Sequence, residues 1–238
     1  RWRTQRPDLV HVATEGPLGL SALRAAHSLG IPVSSGFHTN FHDYSGHYGM
    51  GVLRSTVESY LRWFHNRTRC TLVPTEVQRS ALASAGFRGV RTLGRGVDAE
   101  LFHPRWRSAA LRAEWGAHEG TLVAMLVSRS APEKNIPLAI RAFRAIRAVL
   151  PSAVMVIAGD GPERARLAAA NPDIRFIGNL PREALAATYA SADLFLFPSM
   201  SETFGNVVLE AMASGVSTVA FDYAAPAMYL RDGINGRL

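Results

Sequence analysis

Short runs of consecutive apolar residues alternate along the chain with longer stretches in which apolar positions recur every three to four residues. The short runs predict strands at residues 8–12, 32–37, 71–73 and 90–93. The periodic stretches between them predict helices over 18–29, 50–67 and 76–85, with Gly30 and Gly86 as stop signals. A polar loop rich in Gly, His and Tyr, residues 38–49, follows the second strand. Then comes Gly94-Arg95-Gly96-Val97-Asp98, and after it Phe102-His103-Pro104. This Gly/Pro-bounded connector predicts a domain boundary.

Beyond the connector the alternation restarts. Strands are predicted at 122–127, 153–158, 174–177, 194–197 and 218–221, and helices at 136–149, 162–170, 182–190 and 205–214. Strands alternating with helices of this length imply βαβ units and parallel sheets. The expected architecture is therefore α/β, with two doubly wound, Rossmann-like units, 1–104 and 105–238. The chain opens on Arg1 and closes just after a turn signal, so we expect an internal piece of a longer chain whose first unit is entered midway.

Composition narrows the picture. Apolar residues make up 47% of the chain and charged residues 19%, which excludes wholesale disorder. The one cysteine, Cys70, excludes a disulfide framework and a cysteine-based zinc site. No apolar run reaches the ~18 residues of a membrane span, and a cytoplasmic location is expected. The net charge of +7 fits nucleic acid, an anionic membrane surface or a phosphate-bearing substrate. The arginines are scattered and no helix-turn-helix, RNP or zinc-finger pattern appears, so no nucleic-acid partner is expected. All but one of the 26 basic residues are arginine. The exception, Lys134, is a compact point charge that Arg replaces poorly at a phosphate.

In open parallel sheets, ligands bind beyond the carboxyl ends of the strands. Polar residues cluster there: Thr14-Glu15-Gly16, His38-Thr39-Asn40, the 129–135 loop, Gly159-Asp160-Gly161 and the 199–206 loop. Gly159-Asp160-Gly161 lacks the third glycine of a dinucleotide fingerprint and reads as a tight strand-to-helix turn. There is no P-loop and no G-x-S-x-G elbow. His38, His42 and His47 share one loop, but no H-E-x-x-H accompanies them, and a polar cleft rim is favoured over a metal site. The strongest signal runs from Ser199 to Gly215: a loop carrying Glu202, then a helix start at Gly205 suited to a phosphate, then Glu210 inside the helix.

Glu202 and Glu210 with Phe204-Gly205 and Ala211-Met212-Ala213-Ser214-Gly215 resemble the retaining glycosyltransferase family 4 of GT-B fold. So do Arg129…Ala131-Pro132-Glu133-Lys134-Asn135, Gly159-Asp160-Gly161-Pro162, Gly96-Val97-Asp98…Phe102-His103-Pro104 and Phe37-His38-Thr39. His38-Thr39-Asn40-Phe41 and Tyr44…Tyr48-Gly49 look most like the α-mannosyltransferase and sulfoquinovosyltransferase-like branch. The resemblance implies two units facing a cleft and a nucleotide-diphosphate sugar donor, with GDP-mannose the best guess. It implies a glycan or lipid acceptor and retention without a protein nucleophile, metal or other cofactor.

Residue by residue, the resemblance has Arg129 and Lys134 neutralise the diphosphate and the amides near Phe204, Gly205, Asn206 and Val207 meet the distal phosphate or sugar. Glu202 binds sugar hydroxyls, Glu210 the ribose, and Ile177 and Gly178 line the base. His38 contacts the transferred sugar. The sequence departs from the family pattern at Val127-Ser128, where a Gly is usual, and over 223–230, which lacks the usual Gly-Gly and acidic residue. Rival readings are a non-catalytic GT-B relative, a sugar-nucleotide epimerase and, more remotely, a basic nucleic-acid-binding protein. Residues 50–69 combine Leu53, Tyr60, Leu61, Trp63 and Phe64 with four arginines, a pattern that predicts peripheral contact with the inner face of the membrane.

Overall fold

The computed structural model describes residues 1–38 and 51–238, except the side chains of 51–54. The chain divides into two compact units, Arg1–Arg95 and Gly96–Leu238. The first holds a four-stranded parallel sheet, β1 (Val10–Val12), β2 (Val33–Gly36), β3 (Cys70–Val73) and β4 (Val90–Thr92), paired in chain order. Its helices are α1 (Pro17–Ser28), α2 (Gly51–His65) and α3 (Glu76–Ser84). Thr75 caps α3 by accepting the Gln78 amide at 3.1 Å, as its residue type predicts. Helix α2 joins two apolar clusters: Phe64 packs with Leu23, Ala26 and Val33, and Leu61 packs with Phe37, Val73 and Leu82.

His65 sits inside this unit with no solvent exposure. Its Nδ1 lies 2.9 Å from Ser35 Oγ, and the Phe37, Phe64 and Phe87 rings surround it. Burial, reinforced by His38, pushes its pKa down to about 4. The folded state therefore keeps His65 neutral while the unfolded chain takes up a proton near pH 6.5. Stability is fully present above that value and is lost as pH falls toward 4. We expect unfolding free energy to drop by about 2 kcal/mol between pH 7 and 5. In His65→Leu that pH-dependent loss should shrink, as urea titrations at both pH values will show.

The second unit holds β5 (Val123–Val127), β6 (Val154–Ala158), β7 (Arg175–Gly178), β8 (Leu194–Phe197), β9 (Ser217–Ala220) and β10 (Gly236–Arg237). They form one parallel sheet in the order β10-β9-β8-β5-β6-β7. Its helices are α4 (Ala109–Glu114), α5 (Ile136–Val149), α6 (Arg164–Ala170), α7 (Arg182–Ala190), α8 (Asn206–Ala213) and α9 (Ala224–Tyr229). Strand β5 is buried throughout and feeds two cores. Val123, Met125 and Val127 join α7 and α8 on one face, and Ala124 and Leu126 join α5 and α6 on the other. That is the near-continuous apolar strand of a doubly covered parallel sheet. The chain leaves β5 for one edge and returns beside it with β8, so the switch point of the topology lies between these two strands.

The sequence reading grouped the 96–104 connector with the first unit, whereas the compact division falls at Arg95/Gly96. The physical reason is Phe102. Its side chain is buried in the core of the second unit, edge-on to Tyr189 with ring centroids 5.8 Å apart.

Candidate functional site

The loops after β5 and β8 open at the switch point and are tied together there. The Met200 amide donates to the Glu133 carbonyl at 2.8 Å. Lys134 Nζ donates to Glu202 Oε1 at 2.6 Å and to the Ser201 carbonyl at 3.2 Å. Both side chains of this ion pair are largely buried, at 16% and 14% exposure. The one lysine and the first glutamate of the sequence motif are therefore direct partners, 68 residues apart.

Arg129 lies in the same loop but is exposed, and its guanidinium is held by Glu133. Partial burial pushes the Glu133 carboxyl up, but its backbone hydrogen bond and Arg129 outweigh this and hold it below its ordinary range. Glu133 belongs to the quoted motif, yet sequence reasoning gave it no role.

The turn after β6 packs against this loop through backbone alone. A Cβ at Gly159 would collide with the Ser128 carbonyl, and one at Gly161 with the Ser130 backbone; both glycines have positive φ. The Ser130 amide donates to the Asp160 carbonyl at 2.9 Å. Gly159-Asp160-Gly161 is thus the tight turn the sequence predicted, and it braces the cationic loop.

Helix α8 begins beside Glu202. Gly205 stands at its N-cap with φ +93°, and no side chain caps the helix. The Val208 amide turns back to the Gly205 carbonyl at 3.1 Å, so the Asn206 and Val207 amides and the positive end of the helix dipole are what α8 offers a ligand. Asn206 is exposed and Val207 half-buried. The Phe204 side chain is fully buried against Tyr229, so Phe204 offers a ligand only its backbone.

Below them the loop into α9 is fastened to the site. The Tyr223 hydroxyl donates to the Ser199 carbonyl at 2.6 Å, and the Ala225 amide to the Phe204 carbonyl at 2.8 Å. Ala224, within the 223–230 stretch that lacks the usual Gly-Gly, adopts φ +53°. The chain makes the left-handed turn without the residue that favours it, which costs about 1 kcal/mol.

Glu210 lies inside α8 and is half-buried. Tyr189 of α7 donates its hydroxyl to Glu210 Oε2 at 3.1 Å. Burial raises the Glu210 carboxyl pKa; the Tyr189 hydrogen bond and the Arg182 charge oppose that shift. Sequence reasoning missed Tyr189, which reads in the pattern as one more buried position of an amphipathic helix. Ile177 and Gly178 end β7, where the Gly178 carbonyl accepts the Gly159 amide at 2.7 Å.

In the first unit, His38 follows β2 at the carboxyl end of its sheet. It lines a cavity of about 140 Å³ with His11, Gly36, Pro74 and Arg95. His38 Nδ1 lies 3.3 Å from Arg95 Nη2, and the imidazole folds over Gly36, where a Cβ would meet it. A guanidinium only donates, so Nδ1 accepts and Nε2 carries the proton. Partial burial, then the Arg95 and His11 charges, lower the His38 pKa and favour this neutral form. Residues 39–50, including His42, His47 and the Tyr44…Gly49 motif, lie outside the described residues. Among the described residues, no cluster of three His, Cys, Asp or Glu side chains could hold a metal. No described helix is long and apolar enough to cross a membrane.

Residues 1–101 match the family model "Glycosyltransferase Family 4", and residues 108–238 match "Glycosyl transferases group 1". A GDP-mannose-dependent alpha-mannosyltransferase of Mycolicibacterium smegmatis is 39% identical over 92% of this chain and 57% of its own length. The sulfoquinovosyl transferase SQD2 of Arabidopsis thaliana is 35% identical over 90% of this chain and 42% of its own length. This chain thus spans about half the length of the relatives it matches. Among solved structures, Anabaena Alr3699/HepE, determined with UDP and glucose, superposes with a TM-score of 0.80. It covers 99% of this chain and 65% of its own at 20% identity, a likeness of fold. Two family models that follow one another along the chain, and relatives this similar across nine-tenths of it, establish that the chain belongs to the group 1 glycosyltransferases of GT-B fold.

Proposed function

We propose that the full-length protein transfers mannose from GDP-mannose to a glycan or lipid acceptor, with retention of configuration. The observation that carries the donor side is the convergence at the β5/β8 switch point of Lys134, Glu202 and the uncapped start of α8. A diphosphate placed there meets an ammonium and the Asn206 and Val207 amides, and Glu202 offers its carboxylate to the sugar hydroxyls. Arg129 adds a second cation once its guanidinium turns from Glu133 to the phosphates. Glu210 accepts from the ribose hydroxyls, and Ile177 and Gly178 border the base. Mannose as the sugar rests on the relatives named GDP-mannose-dependent alpha-mannosyltransferase. In the first unit, the neutral Nε2–H form of His38 offers a hydrogen-bond donor rather than a base.

Charge growing on the departing diphosphate is met by the Lys134 ammonium and the α8 amides already in place, the largest single contribution such sites make. We therefore expect transfer to proceed without added metal. GDP release from GDP-mannose should depend on acceptor, survive chelator, and give an α-linked product by NMR. Abolition by chelator with rescue by Mg²⁺ or Mn²⁺ would contradict this reading. GDP-mannose turnover without an acceptor would favour an epimerase.

We also place the protein on the cytoplasmic membrane face, on narrower grounds than the sequence suggested. Leu61 and Phe64 of α2 are core residues, which leaves Trp63, with Arg67 4.1 Å above its ring, and Arg62 for a surface. Binding of the full-length protein to anionic vesicles at low salt is the expected outcome. Indifference to them would remove the proposal.

A further inference from the structure

Tyr189 is one of the largest fully buried side chains in the protein. Its ring is gripped edge-on by Phe102 and Phe195, each with centroids 5.8 Å away. Packing alone would be served as well by phenylalanine. A buried phenol hydroxyl without a partner is destabilising, so its presence needs a reason. The reason on the page is Glu210 Oε2, 3.1 Å from the hydroxyl.

An ionised carboxylate only accepts hydrogen bonds. Burial holds the Tyr189 proton firmly on the phenol, and the Glu210 charge adds to that effect. The tyrosine is thus the donor and the glutamate the anion. A glutamate side chain has three rotatable bonds. Fixing one oxygen from the buried side restricts them and leaves the second oxygen to a ligand. Arg182, on the same helix as Tyr189, favours the charged form without an ion pair to it.

We propose that Tyr189 is a positioning residue for the donor: its hydroxyl orients the Glu210 carboxylate toward the paired hydroxyls of the ribose. This rests on the reading of Glu210 as the ribose-binding carboxylate. Tyr189 itself touches no part of the donor.

The test uses full-length wild type, Tyr189→Phe, Glu210→Gln and the double variant. Calorimetry with GDP and with 2′,3′-dideoxy-GDP supplies the readout, and circular dichroism confirms the fold. Tyr189→Phe keeps the buried ring and removes only the hydroxyl. It should weaken GDP ~5–10-fold, the scale of one lost hydrogen bond. It should leave the dideoxy probe unaffected, and the double variant should bind GDP no worse than Glu210→Gln. Weakened GDP binding in Glu210→Gln with wild-type binding in Tyr189→Phe would overturn the positioning role and leave the ribose reading standing. Equal losses of Tyr189→Phe toward both probes would overturn it too, in favour of packing alone. Wild-type binding in Glu210→Gln would defeat the ribose reading and this inference with it.

Discussion

Replacing Lys134 by alanine should lower kcat ~100-fold, the loss seen when one positioned electrostatic donor is removed from a transition state. The ammonium is held 2.6 Å from Glu202 in a largely buried pair, so it waits in place before the donor arrives. Its stabilisation grows as the diphosphate departs, which is why the effect belongs in kcat. Glu210→Ala should fail differently. The ribose changes little during transfer, and a lost charged acceptor is worth roughly 1.5–3 kcal/mol of binding. That appears as a KM for donor raised about tenfold or more, with kcat less affected. Steady-state kinetics with varied donor separate the two, after circular dichroism has shown both variants folded. Full activity in Lys134→Ala would reject the diphosphate site, and equal kcat losses with unchanged KM would reject the division of roles.

The second large effect is structural. Asp193 lies at the start of β8 and accepts from the Val123 amide at 2.8 Å, Arg112 at 2.9 Å and Arg107 at 2.6 Å. Arg112 is buried and also donates to the Ser191 and Thr121 carbonyls. Asp193→Ala leaves that guanidinium buried without its anion, and should lower unfolding free energy by about 3 kcal/mol. Burial pushes the Asp193 carboxyl up, but these three donors outweigh it and hold it below its ordinary range. Its contribution is therefore present above the unfolded carboxylate value near pH 4 and is lost as pH falls through the lower folded value. Urea unfolding of wild type and variant at pH 7 and pH 3 should show the gap narrowing in acid. A gap unchanged by pH would assign the effect to packing.

How much of this the sequence disclosed depends on range. Strands and helices of ordinary length were legible, because apolar period is a local signal; β5, α5 and α7 stand where the pattern put them. Helices α4 and α9 and strand β10 were not foreseen. At six, six and two residues they are too short for a period to register. Parallel alternation predicted the βαβ units but not the order β10-β9-β8-β5-β6-β7, which long-range packing decides.

The same divide runs through the site. The motif residues of the 129–135 and 199–210 segments were legible as residues. That Lys134 would pair with Glu202, and Arg129 with Glu133, was not. The Tyr189 hydroxyl was hidden for a related reason: a helical pattern records its ring and is silent on its oxygen. Ala224 shows the converse, a left-handed residue that no glycine in the sequence announces.

We propose above all that the β5/β8 switch point of the second unit holds a nucleotide-diphosphate sugar. The most direct test is calorimetric titration of the full-length protein with GDP-mannose, UDP-glucose and ADP-glucose, repeated on Lys134→Ala and Glu210→Ala. Wild type should bind GDP-mannose in preference to the other two, and each substitution should weaken it. Failure of all three donors to bind, or binding that survives both substitutions unchanged, would contradict the proposal.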